Sequence, residues 1–480
     1  MQMHNEWKHG PCLRLLAGAC LVFAGSVASA QSYSRTETIV YSDNTTSWVL
    51  GQVASRTIDG VVAEQASYDP GSALLLHAWA FGKTTAVMTY NADGTLATSA
   101  DGNGNQTTFS GWKRGIPQLV GYADGTSQSA IVGDQGWILQ VTDQNGHATG
   151  FGYDAMGRLA SINYPTGDTV AWNNLVQSFV QVDTSEYGIP AGHWRQTTTT
   201  GSHIKVSYFD ALWRPLLVAE YDAADSSGTA RFRGFEYDHQ GRVVFASYPS
   251  AASNSDKGSW TAYDALGRLV SNALDSEQGL LTTSTSYLAD SNGAYTLVRD
   301  PRGNEVRTWY QMFGEPTYAA PVRVQMPEGA VARIDRDVFG KPIAISRGNA
   351  DGSQQVTRTY SYNGSQELCR TLEPETGATL MGYDGAGNLA WSAAGLAVSQ
   401  ACESAGNSIE VSSRKVGRTY DSRNRLKTLA FPDGNGNQVW TYTADGKPSQ
   451  VVTQNAGGAT QAINTYTYNK RGMLTAETSG

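Results

Sequence analysis

Tyr153-Asp154-Ala155-Met156-Gly157-Arg158-Leu159 places a phenol, a carboxylate and a guanidinium within six residues. In one pocket such groups could hold a substrate and move a proton. The set returns as Tyr263-Asp264-Ala265-Leu266-Gly267-Arg268-Leu269. Looser copies are Tyr237-Asp238-His239-Gln240-Gly241-Arg242-Val243, Tyr383-Asp384-Gly385-Ala386-Gly387-Asn388-Leu389 and Tyr420-Asp421-Ser422-Arg423-Asn424-Arg425-Leu426. A frayed copy, Tyr468-Asn469-Lys470-Arg471-Gly472-Met473-Leu474, lies close to the last residue. Iteration at this spacing marks an internal repeat and not a catalytic set. Each member then has a local task. The tyrosine anchors a strand. The aspartate accepts hydrogen bonds from backbone amides two or three residues on. Gly157, Gly241, Gly267 and Gly387 take φ > 0. The arginine is expected to face solvent where the chain leaves the turn.

Other residues with chemistry in them read the same way. Asp101-Gly102-Asn103-Gly104-Asn105 and Asp433-Gly434-Asn435-Gly436-Asn437 offer oxygens at alternate positions, as calcium loops do. The glycine at position six and the acid at position twelve are missing, so turn geometry is the expectation and no metal is assigned. His193 and His203 are ten residues apart with no third ligand near in sequence. There is no Gly-x-Ser-x-Gly elbow, no phosphate loop, no His-Glu-x-x-His and no Cys-x-x-Cys. Trp112, Trp137, Trp172, Trp194, Trp213 and Trp260 could stack on sugar rings, but tryptophan also suits packed strand faces.

The elements that must carry these residues are strands. A second half-motif alternates with the first: Asp143-Gln144-Asn145-Gly146-His147, then Asp300-Pro301-Arg302-Gly303-Asn304. One unit therefore runs turn, strand, Tyr-Asp turn, strand, which gives antiparallel hairpins with short loops. Tyrosines 208, 237, 263, 287, 310, 362, 383, 420, 442 and 468 mark the units, with Asp337 filling one gap and an insertion between Tyr383 and Tyr420. No apolar stripe at helical spacing competes, so helices should be few. At roughly 4.8 Å per strand such a ribbon is on the order of 100 Å wide, and a sheet of that width curls. One face should carry Tyr, Leu, Trp and Ile, the other Arg, Thr, Ser and Asn. Residues 31–140 are β-rich but less regular, and read as diverged repeats or a cap. The plain repeat occupies 141–480.

Composition agrees. The chain has 52 glycines but 15 prolines in 480 residues, with 24 tyrosines and 12 tryptophans, the mark of many tight turns between strands. A net charge of −8 argues against a nucleic-acid partner. Residues 1–30 read as a secretion signal: Lys8 and Arg14, an apolar run from Leu15 to Ala24, then Ala28-Ser29-Ala30, with cleavage between Ala30 and Gln31. No later run is long and apolar enough for a transmembrane helix. Cleavage leaves Cys369 and Cys402, and in an exported chain these two are expected to pair; two buried free thiols are the alternative.

Iterated Tyr-Asp-x-x-Gly-Arg-Leu, alternating with Asp-x-x-Gly-Asn, resembles the Rhs/YD-repeat family of polymorphic-toxin shells, wall-associated proteins and teneurin-like shells. The likeness covers roughly 141–480, with looser matches back to Tyr90. It implies an all-β fold, a long antiparallel hairpin ribbon coiled into a spiral β-shell, often around a C-terminal payload, and an association with carbohydrate binding and cell-surface contacts. The sequence departs from the full pattern. It stops soon after Tyr468 with no payload, and Asp300-Pro301 is mid-chain and not in a cleavage segment, so a truncated member is expected. The expected function is an exported, non-catalytic scaffold without cofactor, periplasmic, cell-surface or secreted, that encloses or presents a cargo or contacts a surface. A carbohydrate-binding cell-surface adhesin is the second reading. A glycan-acting enzyme is the third, and requires two suitably spaced carboxylates in one cleft.

Overall fold

The computed structural model describes residues 33–314, 317–397, 401–402 and 408–480. The signal segment and its Ala30/Gln31 boundary lie outside the described residues. From Glu37 to Ser479 the described residues form 36 strands in one sheet. Every strand pairs antiparallel with the strand before it and the strand after it, so the sheet is a single continuous meander. Pairing runs through residue 140 without a break. No backbone pairing joins the first strand, Glu37–Asn44, to the last, Leu474–Ser479, so the sheet is not closed. Only two four-residue helices interrupt the described strands, Ser226–Thr229 and Ile409–Ser412.

The two half-motifs fall on opposite edges of the ribbon. On the Tyr-Asp edge the register slips beside the tyrosine: Gly152 faces Ser161 but Tyr153 faces Leu159, leaving Ala160 as an extra residue. The slip recurs beside Tyr90, Tyr237, Tyr263, Tyr362, Tyr383, Tyr420, Tyr442 and Tyr468. On the other edge the turns at 101–105, 143–147 and 300–304 join strands in unbroken register. A bulge bends its strand and increases the local twist. Repeated on one edge, it bends successive units in the same sense, and the ribbon coils.

The coil passes over its own beginning. Side chains meet across sequence separations of 281 to 323 residues, while Tyr33 packs edge-on against Phe313 and Phe81 against Phe339. The core is thin and local. One cluster gathers Ala378, Leu380, Ala393 and Leu396 under Val411 of the second helix. Another gathers Val206, Tyr208, Leu217 and Ala219 under Ile189. With no continuous core, stability is carried by neighbouring strands.

Candidate functional site

The aspartate organises the turn. Asp154 Oδ1 accepts from the amides of Met156, at 2.9 Å, and Arg158, at 3.0 Å. The acceptance is thus two and four residues on, where the sequence suggested two or three. Asp154 Oδ2 accepts from Arg158 Nε at 2.7 Å. Gly157 sits at φ 79°, and a Cβ there would lie 2.7 Å from the Trp137 ring, so both backbone and space require glycine. Asp238, Asp264 and Asp421 repeat the pattern with Arg242, Arg268 and Arg425. The other half-motif is the same turn with asparagine as the clamp, Asp101 with Asn105 and Asp300 with Asn304, and the Tyr383 copy of the first motif is also clamped by asparagine, Asp384 with Asn388. The Asp433 stretch differs. Its Gly436 amide donates to Gln454, and Asn437 already opens a strand.

The tyrosine and arginine link one unit to the next. Tyr153 donates its hydroxyl to Ile138 O at 2.8 Å. Tyr237, Tyr263, Tyr383 and Tyr420 likewise donate to Pro215, Val243, Leu368 and Leu389, each the first residue of the preceding strand. Where tyrosine is absent the bond persists: Trp112 Nε1 donates to Leu96 O and Arg336 Nε to Pro321 O. The arginines do not face solvent as expected. Arg242 lies 4.4 Å over the Tyr263 ring, Arg268 4.0 Å over Tyr287, and Arg158 4.4 Å over Phe179. Arginine and tyrosine therefore share a face, contrary to the expected division of the two faces. Each guanidinium is held by its own aspartate and capped by the next ring, with Arg242 Nη1 buried without an acceptor. Asp154 is held below the usual carboxylate range by the Arg158 amide, then by the Arg158 side chain against a desolvation that opposes it.

Opposite edges of the ribbon meet where the coil overlaps, and the two half-motifs then touch. Asn103 Nδ2 donates to Asp384 Oδ2 at 3.0 Å, and Asn424 Nδ2 to Asp101 Oδ2 at 2.7 Å. Arg425 Nη2 reaches Asp124 at 3.0 Å and Arg423 Nη1 reaches it at 3.6 Å. Farther along, Lys83 pairs with Glu367 at 2.5 Å and the Lys470 amide donates to Asp168 at 3.0 Å. Against the cost of burial, hydrogen bonds from Asn424 and Asn105 hold Asp101 low, and Thr126 with Arg423 and Arg425 holds Asp124 low. Sequence reasoning missed this seam. One signal was available: Asn424 occupies the turn position that most copies fill with glycine, at φ 57°, and its side chain bonds Asp101 and Asn388.

Other named residues have ordinary partners. His193 is buried between Pro190 O and Glu186, and His203 starts the next strand at the far end of the pair. No group of three metal-ligating side chains occurs among the described residues. Trp137 packs on Tyr153 and Trp260 on Phe245, while Trp194 and Trp213 stack with Phe179. Trp172 donates to Asp168. Asp210-Ala211-Leu212-Trp213-Arg214 is a further Tyr-Asp-type turn, with Trp213 in the glycine place at φ 65°. Cys369 and Cys402 form a disulfide with Cα atoms 5.3 Å apart, tethering the insertion to the strand Leu368–Glu373. Among the described residues no helix is long and apolar enough to cross a membrane.

A one-sided, bulged hairpin ribbon with a Tyr-Asp-Arg ladder and a self-contacting coil defines a YD-type β-repeat shell. A family model described as the RHS repeat matches residues 134–169, so that stretch is similar to the RHS repeat. It is similar to double-stranded DNA deaminase toxin A of Burkholderia cenocepacia (strain H111), 27% identical over 469 residues, covering 83% of this chain and 32% of that protein. The chain thus spans about a third of that relative's length. Among solved structures it is similar to a Photorhabdus luminescens Tc holotoxin pore with a TccC3 variant, TM-score 0.49 and 13% identity over 93% of this chain and 22% of that one. It is also similar to TcdB2-TccC3, TM-score 0.41 and 12% identity over 96% of this chain and 37% of that one.

Proposed function

We propose that this protein is an exported, non-catalytic scaffold whose coiled sheet encloses or presents a cargo. The observation that carries the reading is the seam: the coil is fastened over its own start by Asp124, Arg425, Asp101 and Asn424. A coil fastened over its own start fits enclosure, and the Asp101, Asp124, Asn424 and Arg425 side chains are engaged in fastening it. The carboxylates with displaced acidity support a structural role. Asp101, Asp124, Asp154, Asp238, Asp264, Asp384 and Asp445 are all held low, whereas a general acid needs a carboxyl held high. The curated relative is by name a toxin, which favours a noxious cargo over a cell-surface role. The test is to append a protease-sensitive peptide after Gly480 in the full chain. Enclosure predicts slow cleavage, accelerated when Asp124→Asn weakens the seam. Cleavage as fast as for the free peptide in both proteins refutes enclosure. Recovery of mature chain beginning at Gln31 from the exported fraction checks the export route.

A further inference from the structure

One turn position recurs along the seam. In the later units the third residue of the Tyr-Asp turn reaches across to the earlier pass of the ribbon. Phe339 packs edge-on against Phe81 at 5.1 Å, the Arg423 guanidinium lies 4.4 Å over the Tyr122 ring, and that of Arg471 lies 3.7 Å over Tyr164. The Ala386 amide donates to Asn103 Oδ1 at 3.1 Å, and Asn145 donates to Asp445. The turn itself sets this position. The amides of Phe339, Ala386, Arg423 and Arg471 each donate to the Asp or Asn two residues back, which aims the third side chain off the edge. The earlier units keep the turn and lack the neighbour. The amides of Met156, Leu212 and Leu266 make the same bond, to Asp154, Asp210 and Asp264. Yet these three side chains are 77%, 70% and 78% exposed. Tyr187 and Trp213, on the same edge, are also exposed. Single exposed apolar residues are ordinary. A row of them along one edge, three at the position that docks elsewhere, marks an interaction surface.

The complementary edge is free on the later pass. The turn Asp101–Asn105 is half covered by the coil, whereas its counterpart Asp300–Asn304 is exposed. Farther along that edge the insertion after the strand Leu389–Leu396 carries the helix Ile409–Ser412, which buries Val411 fully and leaves Ile409 90% exposed. Each copy of the chain therefore carries both halves of the seam, unpaired. We propose that the Tyr-Asp edge of the earlier pass docks on the opposite edge of a second copy of this chain, head to tail, with Met156, Leu212 and Leu266 entering it as Phe339 does within the chain. The contact continues the seam in the same polarity. It joins unlike surfaces, so it does not close on two copies and builds a row of them. It goes beyond the scaffold reading and does not depend on an enclosed cargo.

Sedimentation velocity on the full chain tests it, at concentrations rising to about 100 μM. The wild type should form dimers and then longer species. Met156→Ser, Leu212→Ser and Leu266→Ser combined should weaken association at least about tenfold and leave the melting temperature unchanged, because all three side chains are exposed in the single copy. Ile409→Ser, on the other edge, should weaken association as well. Mixed at a concentration where neither associates alone, the two variants should form a dimer and nothing longer, since each keeps one intact edge. A wild type that stays monomeric throughout, association untouched by the triple substitution, or a mixture no larger than its separate components would each overturn the proposal. Association lost in the triple variant but unchanged in Ile409→Ser would overturn it too, in favour of two like edges packed about a two-fold axis.

Discussion

Neutralising Asp124 should open the seam without unfolding the coil. Asp124 and Arg425 sit on different passes of the ribbon, 301 residues apart, and their charged atoms are 3.0 Å from each other. Both side chains are mostly buried, 16% and 18% exposed. At an effective dielectric of about 20 the gross attraction at that distance is about 5 kcal/mol. Desolvation offsets much of this, and a hydrogen bond between charged groups contributes about 1.5–3 kcal/mol net. Asparagine at 124 still accepts from the Thr126 amide, and Arg425 keeps Asp421 at 2.7 Å, so neither partner is orphaned. The expected loss is therefore about 2 kcal/mol, confined to the seam. Arg425→Gln will lose more because it also leaves Asp421 and the Tyr442 ring. A double-mutant cycle isolates the shared term, about 1–2 kcal/mol of coupling. Hydrogen exchange should quicken together in 101–105, 122–126 and 421–425, and stay unchanged in the strands Trp194 and Tyr237 occupy. No coupling, or exchange raised only at 122–126, would refute the seam as the fastening.

Acid should loosen the same contacts. The native acidities of Asp101, Asp124, Asp384 and Asp445 lie below the ordinary value near 3.9, so their contribution is present above about pH 4 and is lost as pH falls through the native values. For Asp445 that value is about 2, reached because Lys447, Thr443 and Asn145 outweigh the burial that opposes them. Urea midpoints measured from pH 5 to pH 2 should fall, and fall less in Asp124→Asn. Tyr237→Phe removes the 2.9 Å bond to Pro215 but keeps the ring beneath Arg214, and should lower stability by about 1 kcal/mol in urea titration. Asn424→Gly relieves a left-handed backbone yet deletes the bonds to Asp101 and Asn388; exchange at 101–105 should rise even if overall stability barely changes. Cys402→Ser opens a 33-residue link and should lower stability by about 3–4 kcal/mol in the chain-entropy model, with the wild type under reductant falling to match.

The fold was legible because turn chemistry is local. Asp154 and Gly157 act on residues within their own turn, so their spacing alone implies a hairpin, and repetition implies a ribbon. The arginine was misjudged for the opposite reason. Its aspartate is four residues away, but its ring belongs to the next unit, Tyr263 for Arg242, and one copy of the motif contains no trace of that pairing. The seam was illegible to a greater degree. Asn103 and Asp384 each satisfy a turn pattern, and their contact depends on how many residues one circuit of the coil takes.

The seam also explains why two half-motifs alternate. Bulges on the Tyr-Asp edge curve the ribbon, and the unshifted turns on the other edge are the ones that curvature brings around to meet it. If both edges carried Arg-clamped turns, like-charged guanidiniums would face one another across the overlap. With asparagine on one edge, Asn103 and Asn105 can donate to, and accept from, whatever the other edge presents. Where arginine does face the overlap, at Arg423 and Arg425, the opposite turn supplies Asp124 and no cation. Lys83 meets Glu367 under the same rule. Keeping cations from facing one another, by neutral clamps at Asn105 and Asn388 and by Asp124 opposite Arg423 and Arg425, is therefore a condition for the coil to pass over itself, and a seam rebuilt with Asn105→Arg should repel Asn424→Arg while tolerating Asn424→Asp.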